Sequence, residues 1–279
     1  MLVEMAVGDA YGRRFEGKSD PGARNTVEGY ASGSRAGKAV GRYTDDTQMS
    51  LAVAEALVER DEWTPAALAQ RFVTAFRRDP RRGYAASFGR FLTTVEDGTE
   101  FLARIKPGSE RSGAAMRAAP LGVLTAIPEI LRRSRIQAGI THDTPGGIAS
   151  ATAPALMSHY FLYGLGAKRD LGGFLAHHVP GDWAEPWQGR VDLRGTSCVR
   201  AAVTAITASG SMRTLLQTCI AFTGDVDTVA AIALAAAAGC REIASDLPAT
   251  LVANLESGPF GRAYLGGLDA RLLRLVGRS

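Results

Sequence analysis

The hydrophobic positions of the chain recur almost throughout at helical spacing. From Met49 the apolar residues Met49, Ala52, Val53, Ala56 and Leu57 fall at offsets 0, 3, 4, 7 and 8, the repeat of a helix with one buried face. Glu55, Glu59 and Arg60 fall off that face. Leu68, Phe72, Ala75 and Phe76 repeat the spacing after Thr64-Pro65, a helix start with a hydroxyl cap and a proline in the first turn; Asp79-Pro80 stops it. Tyr84, Phe88, Phe91 and Leu92 continue the pattern. Further helices are predicted over residues 5–11, 128–137, 145–163, 171–177, 197–208, 211–221 and 262–275, with turns at Pro180-Gly181-Asp182-Trp183, Leu247-Pro248 and Gly258-Pro259. Val229 to Cys240 is apolar on every side, which predicts a central, buried helix. No alternating β-branched run stands out, and neither a repeat nor a linker divides the chain. The reading is an all-α fold, with residues 1–279 as one domain.

Two stretches break the pattern in the same way. Tyr43-Thr44-Asp45-Asp46-Thr47 sets adjacent carboxylates between hydroxyls at the mouth of a helix, where free N–H groups and the macrodipole favour negative charge. A cap needs only one of these side chains. The surplus suits a hard cation with oxygen ligands, so capping and metal binding both stand at this point. Thr223-Gly224-Asp225-Val226-Asp227-Thr228 presents the same chemistry ahead of the all-apolar helix. Buried helix mouths carrying unpaired carboxylates are expensive unless a cation neutralises them, and two mouths together would supply enough oxygens for two ions. The pair of stretches therefore favours a metal site. Ahead of the first lies a third irregular segment: residues 17–42, rich in Gly, Ser and Arg, read as one long loop, of a length that is usually functional.

Composition adds exclusions. Apolar content of 46% and charged content of 22% are those of an ordinary globular protein. Val229 to Cys240 is too short to span a bilayer, and no targeting segment precedes Gly8-Asp9, so a cytoplasmic protein without membrane contact is expected. Cys198, Cys219 and Cys240 form no close pair, which argues against disulfides and zinc patterns. Of 32 basic residues only Lys18, Lys38, Lys106 and Lys168 are lysine, a genomic bias rather than a nucleic-acid footprint. The one basic cluster, Arg77-Arg78-Asp79-Pro80-Arg81-Arg82, reads as a solvated turn before it reads as an anion site.

Gly8-Asp9-Ala10-Tyr11-Gly12 with Glu16, then Thr44-Asp45-Asp46-Thr47, Ser112-Gly113-Ala114-Ala115-Met116-Arg117 and Gly224-Asp225-Val226-Asp227-Thr228 follow one another in order. In this order and spacing the chain resembles the ADP-ribosylglycohydrolases, among them the dinitrogenase-reductase-activating glycohydrolases and the ADP-ribosylarginine hydrolases. The resemblance implies a compact orthogonal helical fold around a dinuclear centre of Mg²⁺ or Mn²⁺. By position, Thr44, Asp45, Asp46, Asp225, Asp227 and Thr228 would be its ligands. Asp45 and Asp227 would be catalytic together with Glu16, as ligand or as the acid/base handling the attacking water. Arg82-Gly83-Tyr84 would cradle the diphosphate and adenosine, and Ser112, Gly113, Ala114 and His142 would line the ribose and adenosine side.

The implied reaction is hydrolysis of the C1″ bond between ADP-ribose and an acceptor, with arginine on protein as the lead and serine, O-acetyl-ADP-ribose or a nucleobase as others. Nucleic acid is expected only as an ADP-ribosylated substrate. The chain departs from the family pattern at Ser112, often Asn, and at Ala85, where a second glycine is common. The residues alone read Glu16 as a loop ion pair with Arg13 or Arg14, and His159, His177 and His178 match nothing in the family. Two rivals stand beside this reading: an ADP-ribose-binding or structural relative without turnover, as in lens crystallins, and a metal-dependent phosphohydrolase, for which only His142 would be at hand.

Overall fold

The computed structural model describes residues 1–30 and 40–276, so residues 31–39 of the expected loop lie outside the described residues. Thirteen α-helices are present among the described residues: α1 (Leu2–Gly12), α2 (Asp45–Val58), α3 (Pro65–Arg78), α4 (Ala86–Thr94), α5 (Gly98–Arg104), α6 (Ile127–Gly139), α7 (Pro145–Leu162), α8 (Leu171–His178), α9 (Gly195–Ala208), α10 (Met212–Ala221), α11 (Val226–Ala237), α12 (Ala249–Ala253) and α13 (Arg262–Leu273). Extended backbone is limited to isolated bridges such as Gly41 with Leu255, and no strand occurs among the described residues. The predicted helices are found within a few residues of their expected bounds; α5 falls in residues 96–112, which read as loop with a short helix, and α12 is an addition.

Sequence explains the starts. Thr64, Thr144 and Ser211 accept from backbone N–H groups of Ala67, Gly147 and Thr214, capping α3, α7 and α10, and Pro65 and Pro145 open the first two of these helices.

The axis of the fold is α11. All twelve of its residues are buried, and it packs against α1, α10, α9, α7 and α2. Its contact with α1 is the most intimate. A Cβ on Gly8 would stand 2.7 Å from the Ala230 carbonyl carbon, and one on Gly12 would stand 2.5 Å from the Asp227 Cα. Two glycines one turn apart thus let the two backbones touch, and the touching point is the carboxylate-bearing first turn of α11.

The expectation for α2 needs a correction. It was read as one-sided, yet every residue from Asp45 to Leu57 is buried, Glu55 included. The Glu55 carboxylate is met by the Arg78 guanidinium at 3.0 Å and by the Tyr264 hydroxyl at 2.6 Å, from α3 and α13. The basic cluster has protein partners for three of its arginines. Arg78 serves Glu55, Arg81 holds Asp79 at 2.8 Å as well as Glu256, and Arg77 donates to the Val95 carbonyl. Arg77, Pro80 and Arg82 stay exposed and none of the six residues is buried, so the turn lies at the surface as expected.

The glycine contacts carry a prediction. Gly8→Ala and Gly12→Ala should each destabilise by about 1–3 kcal/mol, because backbone atoms must part to admit the methyl group. Gly267→Ala, exposed in α13 with nothing within 4 Å of the new Cβ, should instead stabilise by up to about 1 kcal/mol. Urea midpoints of the three variants test this; a harmless alanine at position 12 would refute the close contact.

Candidate functional site

The mouth of α2 is built by a residue from another helix. Thr44 sits at the N-cap position but makes no capping bond with its own side chain. The fully buried Asp9 of α1 does the work. Its carboxylate accepts from the Thr44 N–H at 2.8 Å, the Thr44 hydroxyl at 2.8 Å, the Thr47 N–H at 3.1 Å and the Thr47 hydroxyl at 2.6 Å. Burial drives the Asp9 carboxyl upward from its usual range, and these four bonds oppose the shift.

Asp45 and Asp46 are thereby released from capping. The Asp45 N–H donates to the Arg82 carbonyl at 3.1 Å. Its carboxylate rests on Gly83, where φ is +112° and a Cβ would stand 1.8 Å from Oδ1. Thr44 spends its single hydroxyl proton on Asp9, since Asp46 Oδ2 lies at 3.5 Å, and Asp46 Oδ1 is buried with no hydrogen-bond partner among the described residues.

The mouth of α11 faces the same space. Asp225 precedes the helix and accepts from the Ser112 hydroxyl at 3.1 Å and the Cys198 thiol at 3.4 Å. Asp227 and Thr228 follow in the first turn, all three buried. The acids share one field. Asp45 is pushed up to about 8, chiefly by burial and then by Asp9 and Asp225. Asp46 and Asp227 are pushed well above the carboxylate range by burial and by their acidic neighbours.

A cleft of about 880 Å³ opens over these mouths. Of the residues expected at the site, Glu16, Asp45, Asp46, Gly83, Tyr84, Ser112, Gly113, His142, Asp225, Asp227 and Thr228 line it. Thr44 lies just beneath, bound to Asp9, and Ala114 is packed with Ala138 and Ala151 behind the wall. Glu16 is held near the α11 mouth by its neighbour Gly17, whose N–H donates to the Gly224 carbonyl at 3.0 Å. Its carboxylate is turned to Arg13, the ion pair that the residues alone indicated. Tyr84 hydrogen bonds Gln48 Oε1 at 2.7 Å, and so ties the cleft wall to α2.

As the side chains stand, no group of three or more His, Cys, Asp or Glu among the described residues is arranged to hold a metal ion. The case for cations rests on the chemistry of the donors: four buried carboxylates, two hydroxyls and one orphaned carboxylate oxygen, with no cationic side chain hydrogen-bonded to them among the described residues.

Sequence reasoning passed over three contributors. Asp9 was quoted only as part of a motif; its place between Gly8 and Gly12, on the face that meets α11 and α2, was the available signal. Cys198, a fully buried thiol beside Asp225, left none. Arg117 closes the Ser112 motif and is buried at the cleft floor, where burial lowers its guanidinium to about 9.

The helical fold with carboxylates at two facing helix mouths defines a class, and comparison with known proteins identifies it. The sequence profile of the ADP-ribosylglycohydrolase family matches residues 1–278. The chain belongs to the ADP-ribosylglycohydrolase family. It is 30% identical over 175 residues to the ADP-ribosylhydrolase ARH3 of Xenopus tropicalis, a match covering 58% of this chain and 49% of that protein. It is 25% identical over 231 residues to the ADP-ribosyl-[dinitrogen reductase] glycohydrolase of Rhodospirillum rubrum, covering 77% and 74%. The chain spans about half the length, or less, of the ARH3 relatives it matches. A solved structure titled ADP-ribosylglycohydrolase-related protein complex superposes with a TM-score of 0.74 at 23% identity, over 98% of this chain and 95% of the other, and so shares the fold.

His142 supplies a pH prediction. Burial first, and the Arg117 charge second, hold its imidazole down to about 3, against an ordinary value of 6.5. Above pH 7 the ring is neutral whether the chain is folded or unfolded. As pH falls below 6.5 the unfolded chain takes up a proton that the folded chain refuses, so stability drops by up to about 1.4 kcal/mol per pH unit until about pH 3. Urea titrations from pH 7 to 4 should show a shallower slope for His142→Gln than for wild type. Equal slopes would mean that His142 titrates freely in the fold.

Proposed function

We propose that the chain is a divalent-cation-dependent ADP-ribosyl hydrolase, a single ADP-ribosylglycohydrolase-like domain acting in the cytoplasm. It cleaves the C1″ bond between ADP-ribose and its acceptor. The observation that carries this reading is the convergence of Asp45, Asp46, Asp225 and Asp227, buried and repelling one another, on one cleft. Charges so buried persist only if neutralised. The donors fit two Mg²⁺ or Mn²⁺ ions, with Thr44 and Thr228 adding hydroxyl oxygens and Asp46 Oδ1 free to bind. When bound, such ions polarise ribose hydroxyls or water and cancel the acidic charge.

The chain's own residues do the rest. Gly83, bare of a side chain, lets a diphosphate approach the backbone above Asp45, and Tyr84 stands fixed beside it by Gln48. Ser112 orients Asp225, and Gly113 leaves room next to His142. Glu16, on a half-exposed turn at the rim, swings from Arg13 to exchange a proton at the anomeric end. An exposed pair of this kind is worth little, so the swing costs little. ADP-ribosylarginine on protein is the lead substrate. The R. rubrum relative, the one of the two sequence relatives above more fully covered, is named as a glycohydrolase of ADP-ribosyl-dinitrogen reductase. Serine-linked ADP-ribose, O-acetyl-ADP-ribose and nucleobase-linked ADP-ribose complete the panel. The engagement of Glu16 by Arg13 supports one rival, a relative that binds ADP-ribose without turning it over.

Release of free ADP-ribose from defined conjugates tests the proposal. Activity is expected to vanish on chelation, to return with Mg²⁺ or Mn²⁺, and to be lost in Asp46→Ala and Asp227→Ala. Full turnover in chelator would refute cation dependence, and no release from any conjugate would favour the binding-only rival.

A second prediction concerns stability and Glu16. Melting temperature should climb with Mg²⁺ concentration, because the ion binds only the folded chain, and climb less in Asp46→Asn. Glu16→Gln should lower the rate by about 10²–10⁴ while calorimetry finds ADP-ribose binding near wild type. Wild-type turnover in that variant would remove Glu16 from the chemistry.

A further inference from the structure

Asp45 is carried into the cleft by two stretches of backbone, and one side chain that does not line the cleft grips both. The first stretch is Tyr43-Thr44, which leads into α2. The second is Arg81-Arg82-Gly83, whose Arg82 carbonyl accepts the Asp45 N–H at 3.1 Å and whose Gly83 bears on the Asp45 carboxylate. Glu256, in the segment after α12, meets each stretch with the same oxygen. Its Oε1 accepts from the Tyr43 N–H at 3.2 Å and from the Arg81 guanidinium. Arg81 also lies 3.9 Å from the centre of the Tyr43 ring and donates to the Tyr43 carbonyl at 3.4 Å. Glu256 is itself fixed by backbone. Its N–H donates to the Gly41 carbonyl and the Gly41 N–H to the Asn254 carbonyl, both at 2.9 Å. The Tyr43 hydroxyl adds a bond to the Phe260 carbonyl at 2.8 Å.

The ion pair at the centre of this brace is sheltered. The Arg81 and Glu256 side chains are only 10% and 14% exposed, so water and salt screen them less than a surface pair. Asp79 also accepts from Arg81, at 2.8 Å, but it lies two residues away on the same turn. Neutralising Arg81 therefore does not require Glu256. Holding both stretches to one oxygen does.

We propose that Glu256 is a positioning residue for the acidic mouth of α2: by holding Tyr43 and Arg81 on one oxygen, it sets where Asp45 is presented to a divalent cation. Mg²⁺ demands near-ideal octahedral geometry, so a carboxylate displaced with its backbone binds it poorly. Groups that orient a metal ligand from behind are typically worth about 10–100-fold in metal affinity. Residues 254–260 thus take part in the site without entering the cleft. This inference rests on the divalent-cation reading proposed above.

The test uses the full chain with Mn²⁺ alone as the probe, binding being read from the electron paramagnetic resonance signal of the free ion. Glu256→Ala should weaken Mn²⁺ binding about 10–100-fold. Glu256→Gln keeps an oxygen for both donors and should retain most of the affinity. Arg71→Ala breaks an ion pair with Asp61, beyond the far end of α2. It should lower the urea midpoint and leave Mn²⁺ affinity as in wild type, which separates positioning from plain loss of stability. Where Glu256→Ala does not fold, Glu256→Asp, which draws the oxygen back by one bond, carries the same expectation. Wild-type affinity in either variant, once folded, would overturn the inference. So would an equal loss in Glu256→Gln, since Glu256 would then act through its charge and not through its bonds. A wild-type protein that binds no Mn²⁺ would instead overturn the cation reading, and this inference with it.

Discussion

The Asp9 carboxylate at the mouth of α2 is the contact on which the rest of the site depends. A helix that starts inside a protein must find partners for its first N–H groups, and an anion there gains from both hydrogen bonds and the macrodipole. Asp9 answers that demand from a different helix, accepting from Thr44 and Thr47. Because α1 also lies with Gly8 and Gly12 against α11, the same helix sets both carboxylate-bearing mouths in register. One element fixes the two halves of the acidic cluster, and neither half has to use its own acids to hold itself in place.

How much of this could be read in advance follows from where each signal resides. Helix periodicity is local, so the helices and the cap at Thr64 were legible, whereas the caps at Thr144 and Ser211 were not picked out. Asp45-Asp46 and Asp225-Asp227 were legible because each pair exceeds what a cap requires. The role of Asp9 was not, because a cap supplied from 35 residues away leaves no pattern at the helix it caps. Glu55 was misassigned for a related reason. A carboxylate inside an amphipathic pattern looks solvated until its partners are known, and those partners, Arg78 and Tyr264, come from separate helices. The same pairing takes Arg78 from the basic turn, whose Arg77, Pro80 and Arg82 stay exposed as expected.

The cleft also shows a division of electrostatic labour. Its acidic wall concentrates negative charge where α2 and α11 begin, and local rules of burial are broken there by every acid at once. Its floor, by contrast, buries a cation on Arg117 and satisfies it with neutral oxygens. Functional surfaces are where local rules are expected to fail. Here they fail in opposite senses on adjoining faces, so that a ligand with both hydroxyl and acidic parts meets a different field at each end.

Gly83 has a mechanical consequence. Its Cα bears directly on the Asp45 carboxylate, and its neighbour Arg82 holds the Asp45 N–H. The loop and the acid therefore move as one body. Any event that displaces the segment ahead of α4 is transmitted to Asp45 without an intermediary, while residues such as Ser87, one turn further along, can vary without that penalty. Changes of ligand preference are thus cheapest to acquire beyond position 84, and the stretch before it is locked to the helix it touches.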